Sequence, residues 1–141
     1  MKKSLSIALM LFGLFAASIG WADSGIPNLV GDWSVKAEGG VIVKGGDPGA
    51  KTHYKDKIGS LNAEASIVSQ QGRVVRGTFK SPRATEDFVA AIGSDNKTFY
   101  YVDEDGFIDG KIINDNTIEV VYRHTTPIDT VLGVGVWTRK K

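Results

Sequence analysis

The sequence predicts an all-β protein: an eight- or nine-stranded antiparallel up-and-down barrel that follows a cleaved signal peptide. From residue 30 onward, apolar residues alternate with polar residues as in half-buried strands, and no window keeps the period of a helix. Turn residues separate the apolar runs at roughly 8–12-residue spacing, which is typical of sandwiches and barrels and not of βαβ units. Because most turns are tight, consecutive strands are expected to pair as hairpins, so a meander is favoured over a Greek key.

The N-terminus has the pattern of a secretory signal peptide. Lys2 and Lys3 precede an apolar run over residues 5–19, and small residues stand at the two positions that a signal peptidase reads. An uncleaved membrane anchor is the alternative, but the run is shorter than the ~20 residues of a spanning helix. We predict that residues 1–22 are removed and that residues 23–141 form a single β-barrel domain. The mature protein is then exported, either periplasmic or secreted, and does not bind a membrane.

Charge and cysteine content exclude several classes of protein. The predicted signal peptide contains two lysines and no acid, so the mature chain keeps 15 basic and 16 acidic residues. This balance argues against a nucleic-acid-binding protein, which would carry a clustered basic excess. The chain has no cysteine, which excludes disulfides, thiolate metal sites and cysteine nucleophiles.

Two short strands and a long loop are predicted at the start of the domain. The first strand covers residues 30–37, a turn covers residues 38–40, and a short second strand covers residues 41–44. Residues 45–57 are polar, rich in glycine and interrupted by proline, which is typical of a loop. Alternating basic side chains in that loop are interpreted either as a solvated surface or as a lid that recognises an anionic ligand.

The rest of the chain is predicted to be a series of strands joined by tight turns. These strands cover residues 61–68, 73–80, 88–92, 98–103, 107–113, 117–124 and 131–139. In the most aromatic of them, Tyr100 is expected on one face of the sheet, and Phe99 and Tyr101 on the other. The interior of a closed eight-stranded meander is either just filled by side chains or wide enough for one small ligand.

The start of the first strand resembles that of the calycins, a group of up-and-down barrels that includes avidins and lipocalins. The likeness is carried by Leu29-x-Gly31-x-Trp33, by the run of hairpins, and by Arg139 near the end of the last strand. It implies that Gly31, Trp33 and Arg139 form a structural plug at one barrel end, with the guanidinium over the indole ring. The avidin type is the most similar, but the tryptophans that wall a biotin site are absent, so biotin binding is not predicted.

Tyr101, Tyr122 and His124 are the candidate ligand-binding residues. If Trp33 marks the closed end of the barrel, a ligand is expected at the other end. His124 has the same strand parity as Tyr122, which is consistent with a position at that mouth; a structural histidine with satisfied hydrogen bonds is the alternative. His53, the other histidine, is about seventy positions away, and no spacing typical of metal ligands joins the two. No metal, cofactor or catalytic residue is predicted.

Three functional hypotheses follow from the sequence. The first is a binding protein for a small, partly apolar ligand, and the second is a structural or interaction module whose aromatic strands form a homo-oligomer. The third, a small barrel isomerase or hydrolase, is supported by no motif, since neither Gly-x-Ser-x-Gly nor His-Glu-x-x-His occurs.

Overall fold

The computed structural model of the protein describes residues 25–44 and 58–141, and these form a closed barrel of eight antiparallel strands. The strands are β1 (Gly31–Val43), β2 (Ile58–Gln71), β3 (Val74–Lys80), β4 (Thr85–Ile92), β5 (Thr98–Val102), β6 (Gly106–Asn114), β7 (Thr117–Thr125) and β8 (Asp129–Arg139). Each strand pairs with the next, and β8 pairs with β1 to close the sheet. The predicted all-β up-and-down barrel is therefore confirmed. Within the described residues, no helix has the length and hydropathy needed to cross a membrane.

The predicted turn over residues 38–40 is wrong, and so is the separate strand over residues 41–44. The chain continues as one strand, β1, in which Gly39 pairs with Gly59 of β2 on one side and with Gly133 of β8 on the other. Glycine is frequent in turns, but here it lies where two neighbouring backbones hydrogen-bond to the strand, and its φ is not positive. The barrel therefore has eight strands and not nine.

Side chains alternate between the barrel interior and the outer face, as the sequence predicts. Phe99 and Tyr101 point inward and are buried, whereas Tyr100 between them is 53% exposed. Trp137 of β8 is fully buried at the centre of an aromatic cluster, and its ring centroid lies 5.8–6.1 Å from those of its neighbours. These neighbours are Phe79, Phe88, Phe99 and Tyr101.

Trp33 closes the end of the barrel at which β1 begins. Its ring is fully buried, and its indole Nε1 donates a hydrogen bond of 3.1 Å to the carbonyl oxygen of Leu29 in the segment that leads into β1. The guanidinium carbon of Arg139 lies 4.4 Å from the centroid of the Trp33 ring. The contact between these two residues that the resemblance implied is present.

Arg139 links the end of β8 to the segment before β1 and to the β6–β7 turn at this closed end. Its guanidinium donates hydrogen bonds of 2.6–2.8 Å to three backbone carbonyl oxygens, those of Val30, Asn28 and Asp115. Gly31 has a φ of 135°, and a Cβ added there would lie 3.0 Å from an Arg139 nitrogen. A side chain at position 31 would therefore be strained and would crowd the guanidinium.

The opposite end of the barrel, here called the open end, is formed where β1, β3, β5 and β7 finish. Three of its connections are described, and they cover residues 81–84, 103–105 and 126–128. The fourth connection contains residues 45–57, so the predicted lid lies outside the described residues.

Candidate functional site

The structure brings Tyr101, Tyr122 and His124 together at the open end. Tyr101 is on β5, and the other two are on β7. Tyr101 and His124 are buried, and Tyr122 is half-buried. All three residues are at inward-facing strand positions, as the sequence predicts for Tyr122 and His124, and they lie at the end of the barrel away from Trp33.

A chain of hydrogen bonds joins four side chains across this end. Nε2 of His124 lies 3.1 Å from Oδ1 of Asp129, and Nδ1 of His124 lies 2.9 Å from the Tyr122 hydroxyl. The Tyr122 hydroxyl in turn lies 3.1 Å from Oδ1 of Asp105. Because Asp129 and His124 are both buried, the chain connects a buried carboxylate through an imidazole and a phenol to the surface.

The β7–β8 turn holds Asp129 in place. The Thr126 hydroxyl donates to Oδ1 of Asp129 at 2.5 Å and accepts from the Asp129 backbone N–H at 3.1 Å. A backbone bond from Thr126 N–H to the Asp129 carbonyl closes the turn. The sequence analysis did not select Asp129, although its parity with Val131 on the inner face of β8 was a usable signal.

The β5–β6 turn positions the two tyrosines. The Tyr101 hydroxyl donates to Oδ2 of Asp103 at 3.0 Å, and Oδ1 of Asp103 accepts the backbone N–H groups of Asp105 and Gly106. Position 106 must be glycine, because a Cβ there would overlap the ring of Tyr122. Residues 103–106 thus form the hairpin turn that the Asp-Gly pair predicts.

Both tyrosines are held in their protonated form. Burial raises the pKa of Tyr101 above its ordinary value, and the negative charge of Asp103 adds to the effect. Burial likewise raises the pKa of Tyr122, with Asp103 and Asp105 contributing. A phenol that resists ionisation is suited to hydrogen bonding and not to nucleophilic attack.

A small cavity of about 40 Å³ lies beneath this cluster, inside the barrel. Its lining is mostly apolar and includes Leu61 and Trp137, and the side chains of Tyr101, Asp103 and Tyr122 also line it. One water needs roughly 10–15 Å³ on this measure, so the cavity has room for about three. Pockets that enclose a drug-sized ligand measure ~300–1,000 Å³. The interior is therefore largely filled by its own side chains, and a whole ligand does not fit inside.

Trp137, which lines this cavity, has a buried hydrogen-bond donor without a partner in the described part of the chain. Among the described residues, its indole Nε1 is the one buried side-chain nitrogen or oxygen without a hydrogen-bond partner. A buried N–H without an acceptor costs ~1–3 kcal/mol, so an acceptor in the cavity would be stabilising. The sequence analysis missed this residue as a site residue, because its position depends on closure of the whole barrel.

The described residues contain no group of three or more histidine and acidic side chains that could hold a metal ion. His53, which the sequence analysis considered together with His124, lies outside the described residues.

No family model and no curated protein matches the chain. Among solved structures, a redesigned β-barrel is similar, with a TM-score of 0.49 and 8% identity over 80% of this chain and 92% of that one.

Proposed function

We propose that this protein is an exported binding protein for a small, partly apolar ligand held at the open end of the barrel. Tyr101, Tyr122 and His124 are its proposed ligand-binding residues, together with Trp137. Export rests on the predicted signal peptide over residues 1–22, which lies outside the described residues. The calycin resemblance is in keeping with this proposal, because that group includes many binding barrels.

The proposal rests on Trp137, whose side chain lines the open-end cavity and whose buried indole Nε1 has no hydrogen-bond partner among the described residues. If the residue at position 137 served only to fill the barrel, a phenylalanine ring would pack there without the cost of a buried N–H. Trp137 lines this cavity together with the hydroxyl-bearing side chains of Tyr101 and Tyr122. Donor, space and neighbouring polar groups together describe a small binding site.

The cavity limits the size and chemistry of the ligand. Only a group of about three heavy atoms fits beneath the tyrosines, so the bulk of the ligand lies outside, at the mouth. The inserted group is apolar with one acceptor oxygen, such as a ketone, which accepts from Trp137 Nε1. The part that remains outside meets the Tyr122 hydroxyl and the carboxylate of Asp105, which favour a hydrogen-bond donor.

The indole N–H resonances test this proposal, with acetone as a minimal carbonyl probe. On titration, the Trp137 indole N–H signal is expected to shift and to saturate, because its proton gains an acceptor. The Trp33 indole already donates to Leu29 at the closed end, so its signal serves as an internal control and stays in place.

The Ala37→Leu variant provides the matched control, because Ala37 lines the same cavity and a larger side chain fills it. In this variant the acetone-dependent shift of Trp137 is expected to disappear while the Trp33 signal is unchanged. A Trp137 signal that does not respond to acetone in the natural protein, or that responds equally in the filled variant, would overturn the proposal.

A further inference from the structure

The outer face of β8 carries an unbroken apolar row. Leu132, Val134 and Val136 all point outward and are 39–55% exposed. On β7 the neighbouring outward residue, Val121, extends the row sideways because it pairs with Val134. Single exposed apolar residues are ordinary, but a contiguous group is typical of an interaction surface.

Charged residues of opposite sign flank one end of this row, at Val136. Val136 pairs with Lys36 of β1 on one side and with Glu119 of β7 on the other. Both side chains are exposed. Within the described residues, neither forms an ion pair with another part of the chain.

We propose that this face binds a second copy of the same chain, through a two-fold axis that runs along β8. Such an axis relates the two copies by a rotation of 180°. The β1 side of one copy therefore lies opposite the β7 side of the other, and residues at the same level along β8 face each other. Lys36 of each copy then faces Glu119 of the other, and the row of Leu132, Val134 and Val136 packs on itself. This surface is independent of the open-end site.

The residues farther from the axis also match. Ile58 of β2 is 87% exposed, and the same operation brings it opposite Phe107 of β6, a half-exposed aromatic ring. Arg123, whose guanidinium lies over the Phe107 ring, comes opposite Gly40, where no side chain obstructs it. None of the other described strands has both an apolar outer row and neighbouring residues of opposite charge on its two sides.

The shape of the barrel wall fits the same arrangement. A shallow concavity of about 870 Å³ crosses the outer face of β2, β1, β8, β7 and β6 at this level. Barrel strands tilt by roughly 35–45° from the barrel axis, so rotation about β8 crosses the two barrel axes at roughly 70–90°. The wall of a twisted barrel is convex around the barrel and concave along the barrel axis. When two such walls cross at a large angle, the convex direction of each lies in the concave direction of the other.

Charge reversal combined with analytical ultracentrifugation tests the proposed dimer. The exported protein is expected to show a concentration-dependent equilibrium between monomer and dimer. In the Lys36→Glu variant, a carboxylate at position 36 faces the Glu119 carboxylate of the other copy, and this repulsion occurs twice in each dimer. In the Glu119→Lys variant, two ammonium groups face each other in the same way. Each change is expected to weaken dimerisation by about tenfold. The double variant restores the opposite-charge pairs and should return to within about threefold of the natural dissociation constant.

Two further variants separate the interface from general effects. Val134→Asp places two carboxylates on the two-fold axis and is expected to give a monomer with an unchanged unfolding transition. Arg76→Glu reverses an exposed charge on β3, away from the apolar row, and leaves dimerisation unchanged. A natural protein that stays monomeric at all concentrations, a dimer that survives Val134→Asp, or a double variant that stays weakened would overturn the proposal.

Discussion

At the scale of single residues, the two ends of the barrel are made in different ways. The closed end depends on packing, because the Trp33 ring is fully buried and lies beneath the Arg139 guanidinium. The open end depends on hydrogen bonds, which join the buried Asp129 and His124 to Tyr122 at the surface. Substitutions at the closed end should therefore lower stability, whereas the open end should also respond to pH.

Trp33→Ala is expected to lower the free energy of unfolding by ~3–5 kcal/mol, because it removes a fully buried ring and leaves a cavity. Arg139→Ala is expected to cost ~0.5–2 kcal/mol through the lost cation–π contact and to shift the Trp33 fluorescence. Denaturant unfolding measures both. Tyr100→Ala, at an exposed aromatic residue, is the control and should change stability by less than about 0.5 kcal/mol. An unchanged unfolding midpoint in Trp33→Ala would contradict the closed-end plug.

Alkaline pH is expected to destabilise the protein through Tyr101 and Tyr122. Both have a pKa raised in the folded state, chiefly by burial. Unfolded tyrosines lose their protons near pH ~10, so the stabilisation is complete below that pH and is lost as the pH rises above it. Tyr122→Phe should remove about half of this tyrosine-dependent fall, since one of two such phenols is gone.

The measurement is the free energy of unfolding as a function of pH, from neutral pH to above the ordinary tyrosine pKa. Tyr100→Phe is the matched control, because Tyr100 is half exposed and lies outside the cluster. If Tyr122→Phe and the natural protein lose stability in parallel above pH ~10, the role of burial at Tyr122 is refuted.

At the scale of strands and turns, the glycines of this chain have different structural roles. Gly39 lies inside β1 and pairs on both sides, Gly72 has a φ of 58° in the β2–β3 turn, and Gly106 makes room for Tyr122. A sequence shows only that glycine is present, and for that reason the turn over residues 38–40 was mispredicted. The difference lies in which other strands approach the backbone, and this is fixed only once the barrel closes.

Gly106→Ala is expected to destabilise the protein by ~1–3 kcal/mol, because the added methyl group overlaps the Tyr122 ring and forces it to move. The same variant should shift the Trp137 indole N–H resonance, since Tyr122 and Trp137 line one cavity. Gly59→Ala is the matched control, because a Cβ at that strand position meets nothing within 4 Å. Thermal unfolding compares the two, and an equal loss in both would show that the packing at position 106 is not specific.

The strands could be predicted from the sequence, but the site only in part. Period-two alternation is local, so the inward faces of β2, β3, β5 and β7 follow from the sequence alone. Tyr122 and His124 are two residues apart near the end of one strand and have the same parity. The sequence therefore predicts that their side chains lie close together on one face. The contact between His124 and Asp129 depends on the β7–β8 turn that Thr126 closes, which the local pattern does not show.

At the scale of the whole molecule, the protein is a closed barrel with a largely filled interior and no disulfide. Closure removes sheet edges, which would otherwise recruit other chains by strand addition. Among the described residues, the two surfaces proposed for recognition are the open end, with its small cavity, and the apolar row on β8. The central claim is that the open end holds a ligand against Trp137.

Native mass spectrometry of the natural protein, isolated without denaturation from the organism that makes it, tests that claim most directly. The account predicts a discrete added mass in the natural protein, which is lost in Trp137→Phe because that variant keeps a ring but has no indole donor. Tyr100→Phe, which alters an exposed residue outside the site, should retain the added mass. The bare chain mass in the natural protein, or an added mass that persists in Trp137→Phe, would contradict the account.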